Sequence, residues 1–314
     1  MTTVTLAAAH VAPVFMDTAA STDKAIKWIK KAGADGADIV VFPEVYLPGF
    51  PYWINCYAPL LQGEMTRRYQ DASIEEDGPE VRALREAAKD AGIVVVMGAS
   101  ERGKQSRTCF NSSLIFNSDG SAPFIHRKLK PTFAERTVWG EGGGERLGVV
   151  PTSAGRVGAL ACWEHTMNLA RQALAEQNME IHAALWPALD TMAGFDQVAN
   201  LQIQAMMQNH ALTAQCFVIS AASPVTQQML DFMAAEIGPQ EFLKTGGGWS
   251  AIIHPFGPIL AGPVSGLEEQ LVMAQVDMTA RHDTKMWVDG SQGGHYSRPD
   301  VLRLVHENAP SDGA

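Results

Sequence analysis

The chain has 314 residues, 46% of them hydrophobic and 18% charged, enough apolar surface for a large core and too much for a disordered chain. A formal net charge of -10 weighs against phosphate backbones, so no nucleic-acid partner is expected. The apolar first residues carry no basic n-region, and no stretch reaches membrane length without a polar break, so the reading is a soluble, cytoplasmic protein with no membrane partner.

In chain order, the apolar segment within residues 1–15 reads as a first buried strand, and β-branched runs at 37–42, 93–98, 112–117, 156–161, 182–186 and 217–221 read as further strands bounded by Gly, Pro, Asp or Asn. Helical patterns lie between them. Residues 21–32 place Ala25, Ile26, Ile29 and Ala32 on one face and start among Ser/Thr cap candidates. Residues 79–91 open with Pro and Glu and meet Gly92 as a left-handed cap. Two further helices are expected near 166–178 and 195–212. Alternation of this kind implies layered α/β architecture with helices covering sheet faces. Residues 55–73 and 226–244 fit that scheme poorly and read as surface excursions suited to partner contacts. No linker, composition break or internal repeat is visible, so one domain is expected over 1–307, with 308–314 as a flexible tail.

Four cysteines, Cys56, Cys109, Cys162 and Cys216, lie far apart without a CxxC, which offers neither a zinc site nor a disulfide framework. Three read as small buried hydrophobes. Cys162 differs, because it follows the strand RVGALA and precedes a helix pattern. The N–H groups of such a turn favour a thiolate, and the Trp163 N–H is a candidate oxyanion donor, whereas a carboxylate at Glu164 would oppose the thiolate. A buried structural thiol is the competing reading. Glu44 lies just after the strand ADIVVF, where flanking apolar side chains would raise its pKa towards the range of a general base, although position alone favours a surface loop. Lys128, beside Arg127 and near Lys130, reads by default as solvated surface, and by function as an ammonium held by Glu135. Aromatic residues near strand ends, Tyr52, Trp163 and Trp186 with Pro187, are pocket candidates, while Trp53 reads as core.

No GxSxG, HExxH or P-loop appears, which leaves serine, zinc and phosphate-loop chemistries unsupported. Taken together, Glu44 in FPE, Lys128 in HRKLKPT and Cys162 in ACWEH, in that order, resemble the nitrilase (carbon–nitrogen hydrolase) superfamily. PEVYLPGFPYW, CFNSSLIFNSDG and RKLKPTFAERTVWGEGGGE resemble its longer blocks, and GGHYSRPDVL resembles a C-terminal signature of the nitrilase branch. His165 stands where that branch varies between Asn and His. The resemblance implies a four-layer α-β-β-α sandwich, Cys162 as nucleophile, Glu44 as general base and acid, Lys128 as stabiliser of the tetrahedral intermediate, and Glu135 near the site. It also implies no cofactor and no metal, a small-molecule nitrile as substrate, and a homodimer or larger homo-oligomer paired through helices near the cysteine. Within the superfamily an amidase or a hydratase acting on cyanide or nitriles is the alternative activity. A non-catalytic oligomeric binding protein on the same fold is the alternative of another class.

Overall fold

The computed structural model describes residues 3–291 and 294–305, so the tail expected at 308–314 lies outside the described residues. Among the described residues, twelve strands form two six-stranded sheets. The first contains β1 (Thr3–His10), β2 (Ile39–Val41), β3 (Val94–Arg102), β4 (Cys109–Phe116), β5 (Phe124–Arg127) and the late strand β12 (Gln270–Asp277), in the order β12-β1-β2-β3-β4-β5. The second contains β6 (Val149–Thr152), β7 (Gly155–Ala161), β8 (Ile181–Trp186), β9 (Phe217–Ala222), β10 (Ser250–Ile253) and β11 (Ile259–Val264), neighbours in that order.

Strand direction exposes a repeat that the amino-acid sequence hides. From β12 to β5 the pairings run antiparallel, parallel, parallel, antiparallel, antiparallel. From β6 to β11 they run in the same succession. The expectation of no internal repeat is therefore corrected at the level of topology. Backbone pairing and burial repeat, and many side-chain choices satisfy both.

The buried strands alternate faces with period two. Leu6, Ile39, Val41, Val94 and Val96 of the first sheet meet Val157, Ile181, Ala183, Leu185, Phe217 and Ile219 of the second in a shared core. The intervening residues Ala7, Val40, Val95 and Met97 face the helices Thr18–Ala34 and Pro79–Ala91, through Ala25, Ile29, Leu84 and Ala88. On the other side, Leu160, Ala184, Trp186 and Val218 face the helices Asn168–Glu176 and Ala199–Ala214, through Ala170, Leu174, Ile203 and Met207. Helix, sheet, sheet and helix thus make the four expected layers.

Local chemistry adjusts several expected boundaries. The first helix begins at Thr18, because Asp17 accepts the Ala20 N–H and caps it ahead of Ser21. The fourth expected helix begins at Ala199, four residues after Phe195. Strands β5, β6, β10, β11 and β12 carry no strong sequence signal; β11, for example, contains Pro263 and has no fully buried residue. The two surface excursions are partly buried instead. Each contains a helix, Gly63–Ala72 and Gln227–Glu236, whose Met65, Tyr69, Met229 and Met233 pack inward. They meet through Arg68 and Glu236 (2.5 Å) and through the Tyr57 hydroxyl, which donates to the Gly238 carbonyl (2.7 Å). Cys56 is half-buried, unlike Cys109 and Cys216, which are buried as expected.

Ile39 is wholly buried between the sheets. Ile39→Ala is expected to cost about 2–5 kcal/mol, read as a lower urea midpoint with an unchanged m-value. An unchanged midpoint would contradict tight packing at this interface.

Candidate active site

Four polar side chains converge at the carboxyl ends of parallel-running strands, the usual place for ligand sites in open α/β sheets. Glu44 follows β2, Lys128 follows β5, and Cys162 follows β7 of the opposite sheet. Glu135 comes from a short 3₁₀ turn, Phe133–Thr137, a few residues beyond Lys128.

Backbone packing holds each one. The turn that carries Glu44 lies directly against β3, where Gly98 makes the approach possible: a Cβ there would stand 2.2 Å from the Pro43 carbonyl oxygen and 2.5 Å from the Val45 nitrogen. Lys128 is held by its backbone, its N–H donating to the Asn111 carbonyl (2.8 Å) and its carbonyl accepting from Gly142 (2.9 Å). A Cβ at Gly142 would fall 2.1 Å from the Arg127 carbonyl oxygen. The Gly-rich loop around residues 140–144 is thereby a clamp on the lysine. Cys162 has φ of 53°, in the left-handed region that a non-glycine residue adopts only when its surroundings hold it there.

The side chains form a closed network. Lys128 Nζ donates to Glu44 Oε1 (2.9 Å) and to Glu135 Oε2 (2.7 Å). Glu135 Oε2 also accepts the Thr132 N–H (2.9 Å) in a capping box. Asn111 Nδ2 donates to Glu44 Oε1 (2.7 Å). The sulfur of Cys162 and the nearest oxygens of Glu44 and Glu135 lie within 4.8 Å of one another. Glu44, Lys128 and Cys162 are each 1% exposed. Surface positions for Glu44 and Lys128, the default reading of their local sequence, are therefore corrected. Both are among the least accessible polar groups in the protein.

Burial sets the electrostatics. It pushes the Glu44 carboxyl up, Lys128 pulls it down, Glu135 pushes it up again, and the balance lies at about 7. Burial would discharge Lys128, but Glu135 and Glu44 outweigh it and hold the ammonium well above the ordinary lysine range. Burial and then Glu44 push the Cys162 thiol well up, against Lys128 and a hydrogen bond from the Trp163 N–H. The resting sulfur is thus a thiol beside a carboxyl that titrates near neutrality. The Oε2 of Glu44 and the Oδ1 of Asn111 are buried without a hydrogen-bond partner.

Glu164 departs from expectation. Its carboxylate is engaged by the backbone, accepting the N–H groups of Leu129 (2.9 Å) and Ala161 (3.0 Å). The turn after β7 is a 3₁₀ segment, Cys162–Thr166, and the regular helix begins at Asn168.

Around this cluster, Tyr52 is buried and its oxygen accepts the Ala188 N–H (2.9 Å). Trp186 is buried at the end of β8 with Nε1 unpaired, followed by buried Pro187. Trp163 is half-buried and tilted against Phe195 (6.4 Å between centroids). His165 stacks on Trp186 (4.8 Å). One of its ring nitrogens meets the Cys162 carbonyl (2.7 Å) and the other His182 (2.8 Å), and burial lowers its pKa to about 4, so the ring is neutral. Trp53 packs edge-on against Tyr69 (5.0 Å), as a core residue does. Asn111 was not visible as a site residue; it opens a polar run, Asn111 to Ser113, in a strand whose other residues are apolar, and nothing in that run singles it out.

Fold and site can be set beside known proteins. A sequence profile described as carbon–nitrogen hydrolase matches residues 5–286. A nitrilase of Pseudomonas syringae pv. syringae is 35% identical over 307 residues, covering 98% of this chain and 90% of that protein. The chain belongs to the carbon–nitrogen hydrolase family. An aliphatic nitrilase of Rhodococcus rhodochrous is 36% identical over 304 residues, covering 95% of this hydrolase and 81% of the relative. The crystal structure of Saccharomyces cerevisiae Nit3, a member of branch 10 of the nitrilase superfamily, superposes with a TM-score of 0.74 at 19% identity, covering 93% of this chain and 97% of that one. This carbon–nitrogen hydrolase thus has the fold that the motif order implied. Among the described residues, no helix is long and apolar enough to cross a membrane.

Removal of the buried ammonium should expose the charge balance. Lys128→Gln leaves two carboxylates without their cation, an expected loss of roughly 3–5 kcal/mol. Glu44 already binds its proton more tightly in the folded state than in the unfolded one, and the substitution tightens it further. Stability of the variant should therefore fall as pH rises from the unfolded carboxyl range through the folded pKa. Urea titrations at about pH 5 and about pH 8 should show a larger deficit at the higher pH. Equal deficits would contradict a charge-based role.

Proposed function

We propose that this hydrolase converts an organic nitrile into a carboxylic acid and ammonia, with Cys162 as nucleophile, Glu44 as general base and acid, Lys128 as the cation that stabilises developing charge, and Glu135 as the group that holds Lys128. The observation that carries this reading is the meeting of a buried thiol, an ammonium and two carboxylates at one point. Relatives that bear the name nitrilase along nearly the whole chain support the choice of substrate class.

Glu44 Oε2 is buried without a hydrogen-bond partner, which suits it to take the thiol proton as sulfur attacks the nitrile carbon. The nitrogen gains that proton, and a thioimidate forms. Glu44 then activates a water that adds to the same carbon, ammonia leaves with a proton returned to it, and a thioester remains. A second water releases the acid and restores the thiol. Two waters are consumed and one ammonia is formed per nitrile. Lys128, held in a dry site, faces the charge that builds on nitrogen or oxygen at each addition, where a fixed cation acts more strongly than in water. Expulsion of sulfur from the first tetrahedral species would instead release an amide.

Tyr52, Trp163, Trp186, Pro187 and His165 are proposed to shape the substrate pocket, with Trp163 the most accessible of them. Exposed Leu169 and Leu201 on the helices flanking the Cys162 turn suit self-association into a homo-oligomer. Four free thiols suit a reducing compartment, in keeping with a cytoplasmic location.

Cys162→Ala should abolish ammonia release from a panel of nitriles. The wild-type kcat/KM should fall on the acid side with a midpoint near 7, because Glu44 must be ionised to accept the proton. Activity on amides alone, or a rate independent of pH through that range, would contradict the proposal.

A further inference from the structure

Glu164 spends its carboxylate on a different task from the cluster beside it. Oε1 accepts the N–H of Leu129 (2.9 Å) and faces Nε2 of His126 (2.9 Å), while Oε2 accepts the N–H of Ala161 (3.0 Å). Leu129 follows Lys128, and Ala161 precedes Cys162. One planar group thereby ties the backbone next to the ammonium to the backbone next to the sulfur, across the two sheets. Both side chains of the pair are almost wholly buried, 2% exposed for His126 and 0% for Glu164.

The hydrogen bonds fix the charge state. Nδ1 of His126 lies 3.0 Å from the Arg146 carbonyl oxygen, which can only accept, so Nδ1 carries a proton. Nε2 faces a carboxylate oxygen that already accepts a backbone N–H. A carboxylate that collects two backbone N–H groups is held in its ionised form, so Nε2 must be a donor as well. Burial opposes both charges. His126 and the two N–H groups outweigh it for Glu164, whose pKa stays below the ordinary value, and Glu164 with the Arg146 carbonyl outweighs it for His126, whose pKa rises.

We propose that His126 and Glu164 form a buried imidazolium–carboxylate pair that acts as a positioning unit, setting the spacing between Lys128 and Cys162. Its catalytic meaning rests on the nitrile-hydrolysing reading of the cluster; its charge state does not. Glu164 touches no reacting atom in this arrangement. It works through the backbone beside Lys128 and the backbone that enters the strained Cys162 turn, where a displacement of about 1 Å can cost about 10²-fold in rate.

Two measurements test this. The first needs no variant: ¹⁵N spectra of histidine-labelled protein followed as pH rises should contain one ring that keeps both nitrogens protonated after the ordinary imidazoles have become neutral. The absence of any such ring would overturn the ion pair. The second is Glu164→Gln. A carboxamide cannot accept from Leu129, Ala161 and the His126 ring together, because one end is itself a donor. We expect kcat to fall about 100-fold with KM changed less than ~3-fold, while the urea midpoint confirms a folded protein. His126→Gln keeps a donor towards Glu164 and should lose less, and the double variant should be no slower than Glu164→Gln alone, as for groups that act as one unit. Unchanged kcat in Glu164→Gln, with stability alone reduced, would overturn the positioning role. If the wild type releases no ammonia from any nitrile, the proposed function fails. The positioning role is then read from alkylation of Cys162 by iodoacetamide, expected to slow about tenfold in Glu164→Gln and contradicted by an unchanged rate.

Discussion

The site depends on one cation placed out of reach of water. Lys128 sits between Glu44 and Glu135, and each of these contacts is worth far more in the interior than it would be on the surface. Without the ammonium, two carboxylates and a thiol could not share so small a volume with any of them ionised. With it, the cluster holds its ionised groups in a state that is costly yet stable. The burial that makes this cluster expensive also tunes it, because it lifts Glu44 to about 7, the range of a general base at neutral pH, while it holds the Cys162 sulfur as a thiol.

Such a cluster has to be held by something stiffer than its own hydrogen bonds. The stiffness comes from two sheets packed face to face, each contributing part of the site from the carboxyl end of a strand. Gly98 lets the Glu44 turn lie flat on β3, and Gly142 lets a loop close over the lysine backbone. Cys162, with its left-handed φ, has its carbonyl bonded to neutral His165 and its preceding N–H bonded to Glu164. The repeated strand succession gives the same scaffold twice.

Much of this was legible in the sequence. The buried central strands announced themselves as β-branched runs, because a strand covered on both faces leaves no room for polar residues. The cysteine turn was legible for the same reason, as the first polar break after RVGALA. Outer strands such as β6 and β11 were not, since their side chains are half-exposed and their pattern does not differ from that of a loop. Glu44 and Lys128 were recognisable only through the motif order. Taken alone, a charged residue after a strand is more often at the surface, and nothing local to either residue states that a partner more than eighty residues away neutralises it. Glu164 misled for a related reason: adjacency to Cys162 in sequence suggested electrostatic opposition, whereas its carboxylate is taken up by the N–H groups of Leu129 and Ala161 and by His126. Its partner His126 stood in a basic run that reads as solvated surface.

Glu44 carries a proton affinity matched to neutral pH while bound to a charged Lys128. Carbon-13 spectra of glutamate-labelled protein test it directly. One carboxyl should titrate at about 7 and be lost in Glu44→Gln. If every glutamate carboxyl titrates in the ordinary range near ~4.3, the account is contradicted.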